Sequence, residues 1–185
     1  AASRGDGTRA ALIDAAVAAL AEVGFAGASA REIARRAEVN QALVFYHFGT
    51  VTDLLLAALD RVSDERLAAY GELIGRAATV TDLLDSAEEI FRRDLESGHV
   101  AVLVEMLNGA RTAPGLGERV AERLKPWVAV AESAVRRAMS QLPVPIPIPA
   151  KDLAHGLVAG FLGLELLAES GGDRDAALAL FQRAR

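Results

Sequence analysis

Residues 29–48 constrain this chain more than any other stretch. They read as two short helices joined by a three-residue turn, Glu38-Val39-Asn40. Neither helix has enough turns to persist alone in water. A further helix must complete the pair, and Ile33, Ala34, Ala37, Val39 and Val44 are the apolar residues it can cover. Ala34 is small enough to let the second short helix cross closely. This is the physical recipe of a helix-turn-helix, whose second helix enters a DNA major groove with its first turn against base edges. Ser29 and Glu32 read as a capping box in which Glu32 reaches back. Asn40 caps the second helix and Gly49 stops it. Spacing alone leaves a second possibility open, a structural helical corner with solvated arginines.

The completing helix is read at residues 9–23, with Leu12, Ala16, Leu20 and Val23 as its apolar stripe. Gly24 supplies its stop and Phe25 folds back on it. Thr50-Val51-Thr52-Asp53 forms another capping box and opens a long helix to Arg76. Further helices are expected at 81–97, 100–110, 117–142 and 151–170, with Pro126 kinking or breaking the third of these. A last helix, capped by Asp173, carries Leu178 and Phe181. Pro143 to Pro149 alternates proline with Val or Ile and reads as a stiff extended connector. Strand-like alternation is absent and helix formers abound. The expected fold is therefore all-α: a helix-turn-helix domain at 1–50, then a larger helical domain at 51–185.

Net charge is −5 and there is no cysteine. Disulfides, thiolate chemistry and Cys-based metal sites are excluded. The acidic balance argues against wholesale coating of nucleic acid, though not against a small reading head. Residues 29–50 hold Arg31, Arg35 and Arg36 against Glu32 and Glu38, with His47 titratable. No nucleophile elbow, phosphate loop or metal-ligand spacing supports an all-helical enzyme. His99 and His155 stand singly, so neither a metal nor a cofactor is expected. No apolar run of membrane length lacks a charge, and Ala1–Arg9 does not read as a signal peptide. A cytoplasmic protein without a membrane partner is expected.

The stretch REIARRAEVNQALVFYHFGTVTDLL, within Thr8–Leu59, resembles the DNA-binding domain of the TetR family of transcriptional repressors. Gln41 lies on the first turn of the reading helix, where its amide can pair with adenine. The resemblance implies that Ala42 and Leu43 join Gln41 in reading bases, and that Arg31 meets a base or phosphate. It places Phe45 where a tyrosine is usual, with Tyr46 beside it, and puts His47 and Thr50 at phosphate-contacting positions. Glu38 replaces a usual turn glycine, and Val51 a common lysine. The implied protein is a homodimeric repressor on an inverted-repeat operator of double-stranded DNA. It would release that operator when a small, mainly hydrophobic effector binds. The alternative is a helical protein-interaction module with a degenerate DNA-binding head.

Toward the C-terminus, Gly156, Gly160, Gly163 and Leu167 share one helical stripe. Small residues there permit close approach, either within the chain or across a symmetric dimer seam. The resemblance favours the seam. Glu165 lies at the edge of that seam, in an internal ion pair, or on a cavity wall. An effector pocket is expected around Phe91 and Trp127 as flat walls and Met106 as filler. Glu105, Asn108 and Glu165 are its polar groups, and His99 opens the adjoining helix.

Overall fold

The structure is a computed structural model, and it describes residues 4–97, 99–169, 171 and 174–183. All regular structure among them is helical. The order is α1 (Arg4–Gly27), α2 (Ala30–Arg36), α3 (Ala42–Phe48), α4 (Val51–Arg76), α5 (Val80–Ser97), α6 (His99–Gly109), α7 (Leu116–Met139), α8 (Ala150–Glu169) and α9 (Arg174–Arg183). The expected cap at Asp173 lies outside the described residues. Pro143 to Pro149 is non-helical, as its composition requires. α7 runs through Pro126 unbroken, so of the kink or break expected there the break does not occur.

The chain divides into two compact units. One comprises residues 1–64 and 101–123, the other residues 65–100 and 124–185. This differs from a boundary at residue 50, and local contacts explain why. In the first unit Arg119 Nη2 lies 2.5 Å from Asp53 Oδ1, and Arg123 Nε lies 2.6 Å from Asp60 Oδ1. These pairs tie the start of α7 to the start of α4. The end of α6 is fitted to the end of α1. Glu105 Oε2 accepts a hydrogen bond from the Phe25 backbone N–H at 2.8 Å. Gly109 leaves room for the Phe25 ring, since a Cβ there would sit 2.4 Å from it.

α1 is long and apolar enough, by length and composition alone, to cross a membrane. Here that apolarity is used for packing: Leu12, Ala16, Ala19 and Leu20 are fully buried, together with Ile33, Val44 and Leu54 of the following helices. Val23, read as part of the stripe, is 44% exposed instead. The helical assignment bends at Gly24, whose φ of 71° places it in the left-handed region that suits glycine.

In the second unit α5 packs against α8 and α9. Its core is aromatic. Phe91 is completely buried, with the Phe161 ring at 6.0 Å edge-on and the Phe181 ring at 5.6 Å. Such tilted and edge-to-face pairs satisfy the ring quadrupoles as well as burying area.

Candidate nucleic-acid interface and effector residues

α3 is held by one fully buried side chain, Val44. With 3.6 residues per turn, anchoring that face turns its neighbours outward. Gln41 and Ala42 are exposed, Leu43 is half-buried, Phe45 is 49% exposed and Tyr46 81%. Two adjacent aromatics on a seven-residue helix are thus turned to the surface, where Tyr46 meets only the His47 ring, edge-on at 5.0 Å, among the described ring contacts. Asn40 Oδ1 accepts from the Ala42 N–H at 2.8 Å, so Asn40 caps α3 as expected. Gly49, at φ 76°, ends it.

The α2 capping box forms only by half. Ser29 Oγ accepts from the Glu32 N–H at 3.2 Å. Glu32 does not reach back, because the Ser29 N–H already donates to the Gly27 carbonyl at 2.8 Å. Its carboxylate instead takes Arg35 (3.0 and 2.7 Å) and Arg36 (2.6 Å). Hydrogen bonds from Arg35 and then Arg36 hold Glu32 down at about 2. Arg36 also meets Glu22 at 2.7 Å. Two of the three head arginines are thus engaged internally, whereas Arg31 is exposed on α2. Glu38 has φ 54°, so the turn keeps the left-handed geometry that glycine would adopt without cost.

His47 is half-buried and Thr50 exposed. The Thr50 hydroxyl accepts from the Asp53 N–H at 3.0 Å and donates to Asp53 Oδ2 at 2.6 Å. Asp53 is held below its ordinary value by the Thr50 hydroxyl first and the Arg119 guanidinium second.

The expected effector residues fall into both units. In the first, Met106 is fully buried, and Glu105 is engaged with Phe25 and, through Oε1 at 3.3 Å, with Asn108. In the second, Phe91 lies inside the aromatic core and Trp127 is half-buried. The His99 side chain lies outside the described set. Glu165 proves fully buried and paired: Arg66 Nη2 is 3.2 Å from its Oε1. The same guanidinium bonds Asp94, also fully buried, and stands 5.1 Å over the Trp127 ring. Tyr70 donates to Asp94 at 3.1 Å. Burial first and the Asp94 charge second push the Tyr70 phenol up to about 12.

Sequence reasoning missed Arg66, Tyr70 and Asp94. The signal was present in the spacing. Asp94 lies three residues after Phe91 on the buried stripe, and Arg66 and Tyr70 stand one turn apart on α4. Elsewhere in the second unit, an open cleft of about 280 Å³ is lined by Leu73, Arg76, Ala77, Asp82, Asp85 and Ser86, none of them expected.

On α8, Gly156 and Gly160 are exposed and Gly163 is half-buried. A Cβ added at any of the three meets nothing within 4 Å. Among the described residues, nothing packs closely on these three glycines. Leu157, Leu166 and Leu167 are exposed on the same helix and Leu180 on α9, at 43–65%.

Residues 12–58 match the model of the bacterial regulatory proteins of the tetR family. The chain is 32% identical over 134 residues to an uncharacterized HTH-type transcriptional regulator of Mycobacterium tuberculosis, covering 72% of this chain and 68% of that protein. A TetR-family regulator from Rhodococcus has a similar structure, at TM-score 0.82 and 22% identity over 96% of both chains. Two further similar structures carry ligands. A regulator of Saccharomonospora viridis in complex with choline has TM-score 0.77 at 19% identity, covering 95% of this chain and 93% of its own. The regulator FadR of Bacillus subtilis, in complex with stearoyl-CoA, has TM-score 0.78 at 16% identity over 94% of each chain.

Proposed function

The chain belongs to the TetR family of bacterial transcriptional regulators, and on that premise we propose that it is a homodimeric, ligand-responsive repressor. The observation that carries the DNA-reading half is α3 itself, anchored by Val44 and exposing Gln41, Ala42, Phe45 and Tyr46. Gln41 reads adenine through its amide, with Leu43 and Arg31 contributing at the groove edge. Phe45 and Tyr46 lie against sugar or thymine methyls, and His47 and Thr50 set the backbone register.

The dimer is formed by α8 and α9. The open glycine stripe of Gly156, Gly160 and Gly163, with exposed Leu157 and Leu167, supports a second copy there. Two heads so joined match an inverted repeat.

The effector reading draws on the second unit. Trp127, Arg66, Asp94, Glu165 and Tyr70 bring an aromatic face and buried charge together, beside the apolar Phe91 cluster. The choline and stearoyl-CoA seen in similar proteins are chemically unlike, so the effector class rests on these residues alone. A small, mainly hydrophobic ligand with a polar group to meet Arg66 or its carboxylates suits them. Binding would shift the population between operator-competent and operator-released states.

The experiment is a titration of operator and random duplex. Gln41→Ala should cost about 1–3 kcal/mol on the operator and much less on random sequence. Equal losses on both would remove Gln41 from base reading.

A further inference from the structure

Acidic residues outnumber arginines in the first unit, and that unit contains no lysine. Any phosphate neutralisation by side-chain cations of full charge therefore falls on its arginines, most of which meet carboxylates. Arg35 and Arg36 are held by Glu32 and Glu22, Arg61 lies 3.4 Å from Asp14, and Arg123 pairs with Asp60. Two others stand at the corner between α3 and α4, where His47 and Thr50 lie: Arg9, which meets a ring, and Arg119, which shares Asp53 with Thr50 but stays half exposed.

We propose that Arg9 of α1 and Arg119 of α7, both outside residues 12–58, are DNA-phosphate contacts that flank the reading helix. The inference rests on the DNA-binding reading above. The Arg9 guanidinium carbon lies 5.0 Å from the centroid of the Phe48 ring. A ring face orients a guanidinium without neutralising it, so the full charge is kept for an anion. Phe48 directly follows His47 and precedes Gly49-Thr50, so Arg9 is positioned beside the phosphate-facing corner. Arg119 reaches the other side of that corner. Its Nη2 bonds Asp53 Oδ1, while Asp53 Oδ2 accepts from the Thr50 hydroxyl. The Arg119 side chain is 46% exposed, leaving guanidinium N–H groups for a further acceptor. Asp53 alone would repel a phosphate near Thr50, and Arg119 offsets that charge. The two arginines supply, from outside the motif, what Val51 fails to supply at the start of α4.

The test is anisotropy titration of the full chain against random and operator duplexes across a salt series, with thermal melts in parallel. Arg9→Gln and Arg119→Gln should each weaken both duplexes alike, by roughly three- to tenfold at moderate salt, and flatten the log–log salt slope by about one per head. Asp53→Asn should tighten binding, because it removes a repulsive charge and releases Arg119. Arg119→Gln added to Asp53→Asn should still lower the slope, which a purely structural ion pair would not do. Unchanged slopes in both arginine variants, with wild type binding normally, would overturn the proposal and leave the DNA-binding reading intact. So would a loss of affinity in Asp53→Asn equal to that of Arg119→Gln. Failure of the wild-type chain to bind any duplex would overturn the DNA-binding reading itself.

Discussion

The two units handle polar side chains in opposite ways. Around α3, Gln41, Thr50 and Arg31 are exposed, and the anchor is the single apolar Val44. In the second unit the notable charges are interior: Asp94 and Glu165 are completely buried, with Arg66 between them and Tyr70 bonded to Asp94. On α8 and α9 this unit also leaves apolar side chains outside, namely Leu157, Leu166, Leu167 and Leu180. A duplex is large and stiff, so it has to be met by groups already at a surface. A small molecule can be enclosed, and buried charges in a low dielectric discriminate it far more strongly than surface charges do. The contrast accords with the proposed function, in which DNA meets one unit and ligand and dimer partner meet the other.

Arginine tests the contrast most severely. Arg66→Met strands two buried carboxylates, and breaking a buried pair in this way costs about 3–5 kcal/mol. Arg31→Ala removes an exposed charge, and its effect on stability should stay within about 0.5 kcal/mol. Urea unfolding of the two variants measures the difference directly. Comparable, small changes for both would mean that the Arg66 cluster is no better sheltered than the head.

The next effect concerns the apolar exterior of the second unit. Because a Cβ at Gly160 meets nothing within 4 Å, Gly160→Leu has room in the isolated subunit. Across a glycine seam the same side chain overpacks, at about 1–3 kcal/mol, or roughly a ten- to hundredfold rise in dimer Kd. Sedimentation should show dissociation at concentrations where wild type stays dimeric, with the helical signal unchanged. A wild-type monomer at micromolar concentration would remove the seam from the comparison.

A smaller effect isolates strain inside the head. Glu38 holds φ 54°, where a side chain costs about 1–2 kcal/mol relative to glycine. Glu38→Gly should therefore stabilise the chain by about 1 kcal/mol, after the added freedom of glycine in the unfolded state is subtracted. A lower melting temperature would show that the strain is compensated by contacts of Glu38.

The head was the more legible of the two units because its signals are local. The helix-turn-helix spacing, the Asn40 cap and the Gly49 stop each act over a few residues, and each appears in the structure. The failures there were also local competitions. Gly27 took the Ser29 N–H before Glu32 could, and two arginines then took Glu32. The second unit depends on pairs far apart in the chain. Arg66 and Glu165 are 99 residues apart, and no spacing rule joins them. Glu165 could be read only as one of three alternatives, since a charge amid leucines signals an exception without naming its partner. The partner of Glu105 was hidden for the same reason: the Phe25 N–H is 80 residues away.

The smallest expected effect is also the one that links charge in the head to DNA. Glu32 is held at about 2 against an ordinary 4.5, chiefly by Arg35 and then Arg36. A carboxylate whose folded value is depressed contributes stability that is complete above its ordinary value and is lost as pH falls through 4.5 toward about 2. The group is partly exposed, so solvent screens it and the contribution is small. Glu32→Gln should show a slightly lower urea midpoint at neutral pH, and the gap from wild type should close as pH approaches about 2. The same substitution removes the ion-pair partner of Arg35 and leaves Arg36 with Glu22. Random-duplex affinity should therefore rise at low salt, and the salt slope should steepen. If the pH-dependent gap appears but DNA affinity stays flat, Arg35 and Arg36 face away from the duplex. The phosphate contacts would then rest on Arg31, Arg9 and Arg119, and the head would read DNA through fewer charges than its sequence carries.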